Sequence, residues 1–252
     1  VSDKDKYRLD CALPDGDWAG WTLDPTLTLQ PDAAAGEDVR LLAGTGAARN
    51  YGIGAVLSAG RFGDNANVHR TLIRFNVGAI PAAATITAAT MSVYIQDDTH
   101  TYEGTTVDCY EVAAANGDWI EGTKDNATAG AGEPCWNAKE ANGSGGVTTA
   151  WAGSAGLSTA GTDYVNTKVG TFTVPNPDAL NDAMSTPLTA AVVQGWMTSN
   201  PGLLLRATTE SGSDNGFSVY SSDHTTASYR PKLVVDYTLP SSGGMLLLLG
   251  VG

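Results

Sequence analysis

The segment Arg70–Gln96, RTLIRFNVGAIPAAATITAATMSVYIQ, constrains the fold more than any other stretch of the chain. Ile73, Phe75 and Val77 share one face of an extended backbone, while Arg70, Arg74 and Asn76 share the other. Further on, Met91, Val93 and Ile95 oppose Thr90, Ser92 and Gln96. Apolar residues recurring at every second position mark half-buried strands. Pro81 sits in the Ala- and Thr-rich connection between the two runs. A proline cannot donate to a ladder, so this connection reads as a crossing and not as a tight hairpin. Two strands of a β-sandwich follow.

The flanking sequence repeats the pattern in shorter pieces. TLTLQ (26–30), EDVRLLAG (37–44), VDCYEV (107–112), GTFTVP (170–175), PGLLLRAT (201–208), GFSVYSS (216–222) and RPKLVVDYT (230–238) all read as strands between polar turns. Leu233, Val235 and Tyr237 share a face in the last of them. Within PLTAAVVQGWMTSN (187–200), Leu188, Val192, Val193 and Trp196 fall at helical spacing and predict one or two turns before Pro201. From Ala113 to Asp163 the chain is irregular and carries Trp119, Trp136 and Trp151. So long a segment inside a domain is expected to be a set of short β pieces pinned by the indoles. The fold class is all-β: a two-sheet antiparallel β-sandwich of jelly-roll type with one short helix.

Composition narrows the partners. With 27 Asp and Glu against 14 Lys and Arg, the formal net charge is -13, which disfavours nucleic acid and anionic membranes, since both require a basic footprint. The longest apolar run, Met245–Leu249, is far below the ~18 residues of a membrane span. A chain beginning at Val1 fits either a removed signal peptide or a trimmed initiator Met. Of the three cysteines, Cys11, Cys109 and Cys135, the last two are read either as a bridge or as small buried hydrophobes.

The ordered motifs resemble the DNRLRE-domain family, extracellular β-jelly-roll modules related to the disaggregatase-type domain. They are TLTLQPDAAAGEDVRLLAG, RNYGIGAVLSAG, RTLIRFNVGAIPAAATITAATMSVYI, VDCYEV with DWIEGT, CWNAKE with AWAG, LTAAVVQGWM, PGLLLRAT and FSVYSSDHTTASYRPKLVVDYT. Together they span about residues 26 to 238. The resemblance implies a non-catalytic, surface-displayed module, and some family members are classed as carbohydrate-binding modules for acidic polysaccharides. It implies architectural roles for Phe75 and Val93 in the core, Gly52 at a corner and Trp119 in packing. The chain then divides into an N-terminal docking arm (1–25), the jelly-roll domain (26–238) and an apolar C-terminal tail (239–252).

Each candidate site in the sequence has a plainer structural reading beside the functional one. A glycan needs exposed aromatic faces, with guanidinium groups for a uronate, and Trp136, Trp151, Arg70 and Arg74 are the candidates; otherwise they are loop anchors and partners of carboxylates such as Asp236. Asp97, Asp98 and Glu103 are weak candidate ligands for structural calcium, with Asp64/Asn65/Asn67 and Asp214/Asn215 as further clusters; each also fits ordinary turn chemistry. With His100, the 97–103 loop is the place to look for a metal-dependent lyase, and its plainer reading is a solvated acidic loop. GxSxG, HExxH, a P-loop and a dinucleotide fingerprint are absent.

The two ends are the least ordinary features. Trp18 and Trp21 in the arm predict docking. Met245, Leu246, Leu247, Leu248 and Leu249, on a Ser-Gly joint, predict insertion into a neighbouring subunit or partner. The sequence therefore reads as a non-catalytic structural or adhesion module of an extracellular array or a virion surface. It is expected to pair with copies of itself or with assembly neighbours, and to take polysaccharide as a ligand class. The alternatives are a soluble carbohydrate-binding module of a polysaccharide-degrading enzyme and the metal-dependent lyase.

Overall fold

The computed structural model describes residues 25–62, 67–97 and 101–240. They form an all-β sandwich with a single α-helix. In chain order the strands are β1 (Thr26–Leu29), β2 (Glu37–Leu42), β3 (Arg49–Asn50), β4 (Val56–Phe62), β5 (Asn67–Arg74), β6 (Thr85–Tyr94), β7 (Thr106–Val112), β8 (Ala127–Thr128), β9 (Glu140–Ala141) and β10 (Val147–Thr149). They continue with β11 (Tyr164–Thr173), β12 (Ala183–Leu188), helix α1 (Ala190–Trp196), β13 (Leu203–Ala207), β14 (Asn215–Tyr220) and β15 (Lys232–Thr238).

A four-stranded sheet runs β1-β15-β6-β12, and a larger one runs β11-β7-β13-β5-β4-β14 with β2 added beside β5. All of these pairings are antiparallel. The alternating segment 70–96 supplies β5 to the larger sheet and β6 to the smaller one, so the chain around Pro81 crosses the sandwich. The chain also passes between these two sheets from β1 to β2, from β6 to β7, from β11 to β12, from β12 to β13 and from β14 to β15. Pro187 is accommodated because β12 is an edge strand.

The inner faces meet in one core. Ile73 and Phe75 come from β5 and its end, Met91 and Val93 from β6, and Leu233, Val235 and Tyr237 from β15. Phe172 packs edge-to-face on Phe217, their centroids 5.9 Å apart. In β6 the buried residues Ile86 and Ala89 are three positions apart, and the register against β15 shifts there. This is a β-bulge, which keeps both side chains facing inward. Helix α1 buries Val193 and Trp196 against the same core. Gln194 ties it to the start of β6, accepting a hydrogen bond from the Ile86 amide (2.7 Å) and donating one to the Ala84 carbonyl (3.2 Å). Leu188, read from sequence as helical, is instead the last residue of β12, and the helix starts after it.

The larger sheet has a second apolar layer on its outer face. Val39, Leu41, Leu72, Val112 and Leu204 pack there against Trp119, Trp151, Leu157 and Tyr164. The segment 113–163 between β7 and β11 supplies most of this cover, stiffened by the short ribbons β3–β8 and β9–β10. Strands buried on both faces read as continuous apolar runs, which explains why Leu203, Leu204 and Leu205 are all buried. The indoles pin the cover as expected: Trp119 Nε1 donates to the Pro201 carbonyl at 2.8 Å, and Trp151 Nε1 to the carbonyls of Cys135 and Trp136 at 3.0 and 3.1 Å. Cys109 and Cys135 are free buried thiols in separate clusters, which removes the bridge between them.

Trp119 joins the cover to the sheet by packing and by a buried hydrogen bond, so its loss is expected to be felt globally. Trp119→Ala should lower unfolding stability by about 3–5 kcal/mol. Trp119→Phe, which keeps a ring but leaves the Pro201 carbonyl without its donor, should cost on the order of 1–2 kcal/mol. Urea denaturation followed by circular dichroism measures both. An alanine variant within about 1 kcal/mol of wild type would mean that the cover lies outside the cooperative unit.

Candidate functional site

The four residues expected to face a sugar are engaged in holding the cover. Arg70 is 4% exposed. Its Nε and Nη2 donate to the two carboxylate oxygens of Glu210 at 2.8 and 2.7 Å, and its Nη1 donates to Ser158 Oγ at 2.8 Å and to the Gly156 carbonyl. The guanidinium also lies 4.9 Å from the ring centre of Trp136. Arg74 pairs with Glu37, donates to the carbonyls of Gly117 and Trp119, and stacks 4.4 Å over the Trp119 ring. Trp151 is 3% exposed and Trp136 is half-buried.

Burial takes Arg70 and Trp151 away from the open glycan surface expected of the four, and Arg74 and Trp136 are half-buried. Period two places both arginines on the outer face of the sheet as expected, but the chain's own 113–163 segment covers that face. Their carboxylate partners are Glu210 and Glu37, whereas Asp236 accepts the Thr26 hydroxyl at 2.6 Å.

Of the calcium candidates, Asp98 lies outside the described residues, as do Asp64 and Asn65. Asp97 lines an open cavity of about 690 Å3 with Arg40, His69 and Asp125, and Glu103 is exposed. Trp18, Trp21, Met245, Leu246, Leu247, Leu248 and Leu249 also fall outside the described residues.

Two arrangements that the sequence did not announce take their place. The first is a half-exposed aromatic group at the seam between the sheets, where Ile95 bridges Val219. Tyr220 and Tyr229 stack at 5.4 Å with planes 19° apart; His224 lies 4.1 Å from Tyr220, and Tyr94 lies 6.0 Å from Tyr229. The platform is fixed at its rim: Tyr220 Oη donates to Asn181 Oδ1 at 2.9 Å, and Arg230 Nε donates to the His224 carbonyl at 2.7 Å. Lys232 Nζ sits 5.6 Å from the Tyr94 ring centre. Half-exposed aromatic side chains beside polar and cationic groups are the chemistry a sugar ring requires.

The second is a cluster of three carboxylates from distant parts of the chain: Asp38 in β2, Glu121 in the cover and Asp223 in the loop after β14. One oxygen from each lies within 4.8 Å of the other two. Asp38 is 1% exposed; its Oδ2 accepts the Ser222 amide at 2.9 Å, and its own amide donates to Glu121 Oε1 at 3.0 Å. Burial pushes the Asp38 carboxyl up to about 7, opposed by the hydrogen bond from the Ser222 amide. Burial, with the charges of Asp38, Asp223 and Glu37, likewise pushes Glu121 up to about 8, against the Asp38 amide. Asp223 is raised by burial, with Arg230 opposing and Asp125 adding to the rise. None of the three forms an ion pair among the described residues.

No protein-family model matches this chain, and no curated protein matches it.

The raised carboxyls set a direction for stability against pH in the metal-free protein. Between the usual carboxylate range and about 7–8, the folded chain holds more protons at Asp38 and Glu121 than the unfolded chain does. Stability therefore falls as pH rises through this window. In a chelating buffer, urea midpoints should drop from pH 5.5 to pH 8.5, with a contribution from Asp38 on the order of 2 kcal/mol. Asp38→Asn should flatten the slope, and a wild-type profile that rises across the window would contradict this account.

Proposed function

We propose that this chain is a non-catalytic adhesion module displayed on an extracellular or virion surface, which contacts polysaccharide through the platform of Tyr94, Tyr220, His224 and Tyr229. The observation that carries the reading is the stacked, half-exposed Tyr220–Tyr229 pair with His224 and Lys232 at its margins. Pyranose rings pack on such surfaces through their C–H faces, while the flanking polar groups orient the hydroxyls or a carboxylate. Arg230 and Lys232 supply local positive charge on a chain of net charge -13, which favours an acidic polymer meeting this edge and little else of the surface. The resemblance of the motif order to the DNRLRE-domain family supports the same ligand class.

Most of the arginines near the sheet are committed to the fold, which also favours a structural role. Arg40, Arg70, Arg74 and Arg206 each stack on an aromatic ring of the chain itself. No helix among the described residues is long and apolar enough to cross a membrane. Attachment in this reading belongs to the Trp-bearing arm and the Leu-rich tail.

Affinity electrophoresis over alginate-like, pectin-like and neutral polymers tests the ligand. The wild type should be retarded by at least one acidic polymer, and Tyr220→Ala or Tyr229→Ala should weaken that retention about tenfold, the equivalent of one lost contact of ~1.4 kcal/mol. No retention on any polymer, or equal retention of the variants, would refute the platform. Removing residues 241–252 tests the attachment separately. The truncated chain should keep its polymer retention and lose its oligomeric state in light scattering; an unchanged oligomer would favour a soluble carbohydrate-binding module.

A further inference from the structure

We propose that Asp38, Glu121 and Asp223 bind one Ca2+ ion that clamps the cover and the 221–230 loop onto β2. The site draws on three stretches far apart in the sequence. β2 brings Asp38, the cover brings Glu121 and the β14–β15 connection brings Asp223, with one oxygen of each within 4.8 Å of the others. Ligands at about 2.3–2.6 Å from a shared Ca2+ span that spacing, and Ca2+ accepts the irregular, water-completed shells that loops provide. All three donors are carboxylates, and the absence of any imidazole or thiolate in the set disfavours the softer transition metals.

A second observation points to a ligand independently of the clustering. Asp38 Oδ1 is buried with no hydrogen-bond partner, although the residue is 1% exposed and its other oxygen is satisfied by the Ser222 amide. Asp223 Oδ2 is buried and unpartnered as well. A buried carboxylate oxygen without a donor carries an uncompensated desolvation cost, and a cation is the partner that removes it for several carboxylates at once.

The backbone around the site is drawn unusually close. A Cβ on Gly52 would stand 2.3 Å from the Glu121 carbonyl oxygen, and one on Gly36 would stand 2.3 Å from Ser222 Oγ. Gly52 sits in the turn at 52–53, as a corner residue does, and its missing side chain also leaves room for the Glu121 backbone beside it. The segment around Gly36 does the same for the loop carrying Asp223.

The test uses the full chain stripped with EDTA and titrated with CaCl2 at pH 8, by isothermal titration calorimetry and thermal unfolding. The wild type should take up one Ca2+, and its melting temperature should rise by roughly 5–10 °C at a hundredfold excess over Kd. Glu121→Gln and Asp223→Asn, at partly exposed positions, should each weaken binding tenfold or more. Asp97→Asn/Glu103→Gln should bind as the wild type does. MgCl2 should bind more weakly than CaCl2.

The proposal is overturned if Ca2+ produces neither heat nor a thermal shift, because the cluster then satisfies itself with shared protons. It is overturned equally if binding survives in both the Glu121 and Asp223 variants, or disappears in the Asp97/Glu103 variant. Mg2+ binding as tightly as Ca2+ overturns the assignment of the ion.

Discussion

The larger sheet is apolar on both faces, and covering the second face is the constraint from which the rest of this structure follows. The smaller sheet buries the inner face, as in any sandwich. The outer face, with Leu72, Leu204, Val39 and Leu41, is left to a segment that has little regular structure of its own. Such a segment cannot satisfy its backbone by long ladders, so it is held by side chains aimed at carbonyls. Trp119, Trp151, Arg70 and Arg74 all do this, and each also contributes apolar or cation–π contact to the layer beneath.

Charge follows from the same constraint. Glu210, in the connection between β13 and β14, receives both Arg70 of β5 and Arg206 of β13, so one carboxylate ties two strands of the sheet together while Arg70 also reaches the cover. Because Arg70 is 4% exposed, removing Glu210 would leave a buried guanidinium without its counterion, a larger loss than breaking a surface pair. Arginine suits these positions better than lysine, since its planar group stacks on Trp136 or Trp119 while its edges reach several acceptors.

How much of this was legible in the sequence depended on whether local periodicity carried the information. The alternation in 70–96 and in KLVVDY placed strands and inward faces correctly, because a one-residue slip would have reversed every side chain. Period two also put Arg70 and Arg74 on the face opposite Ile73. It could not say what lay above that face, and the exposed guanidinium surface it suggested was already occupied. Asp38 was hidden for a related reason: within EDVRLL it alternates with Val39 and Leu41 and so reads as a solvent-facing acid. Glu121 and Asp223, 83 and 185 residues away, bury it only once the cover and the β14–β15 loop are in place. The sequence signals beside the site are Gly36 and Gly52, whose lack of a side chain is required by the close approach of Ser222 and Glu121.

The 221–230 loop carries residues of both candidate sites. Asp223 faces the carboxylate cluster, and the next residue, His224, contacts Tyr220 at 4.1 Å; Tyr229 at the far end of the loop completes the stack. Anything that fixes Asp223 against Asp38 and Glu121 narrows the positions open to His224 and Tyr229. By reciprocity, a ligand resting on the tyrosines restrains Asp223, and each event changes the free energy of the other by the same amount. The coupling needs no movement of either sheet, because the loop alone spans both sites. The shape of the aromatic platform is thereby set by one short loop lying on a doubly covered sheet.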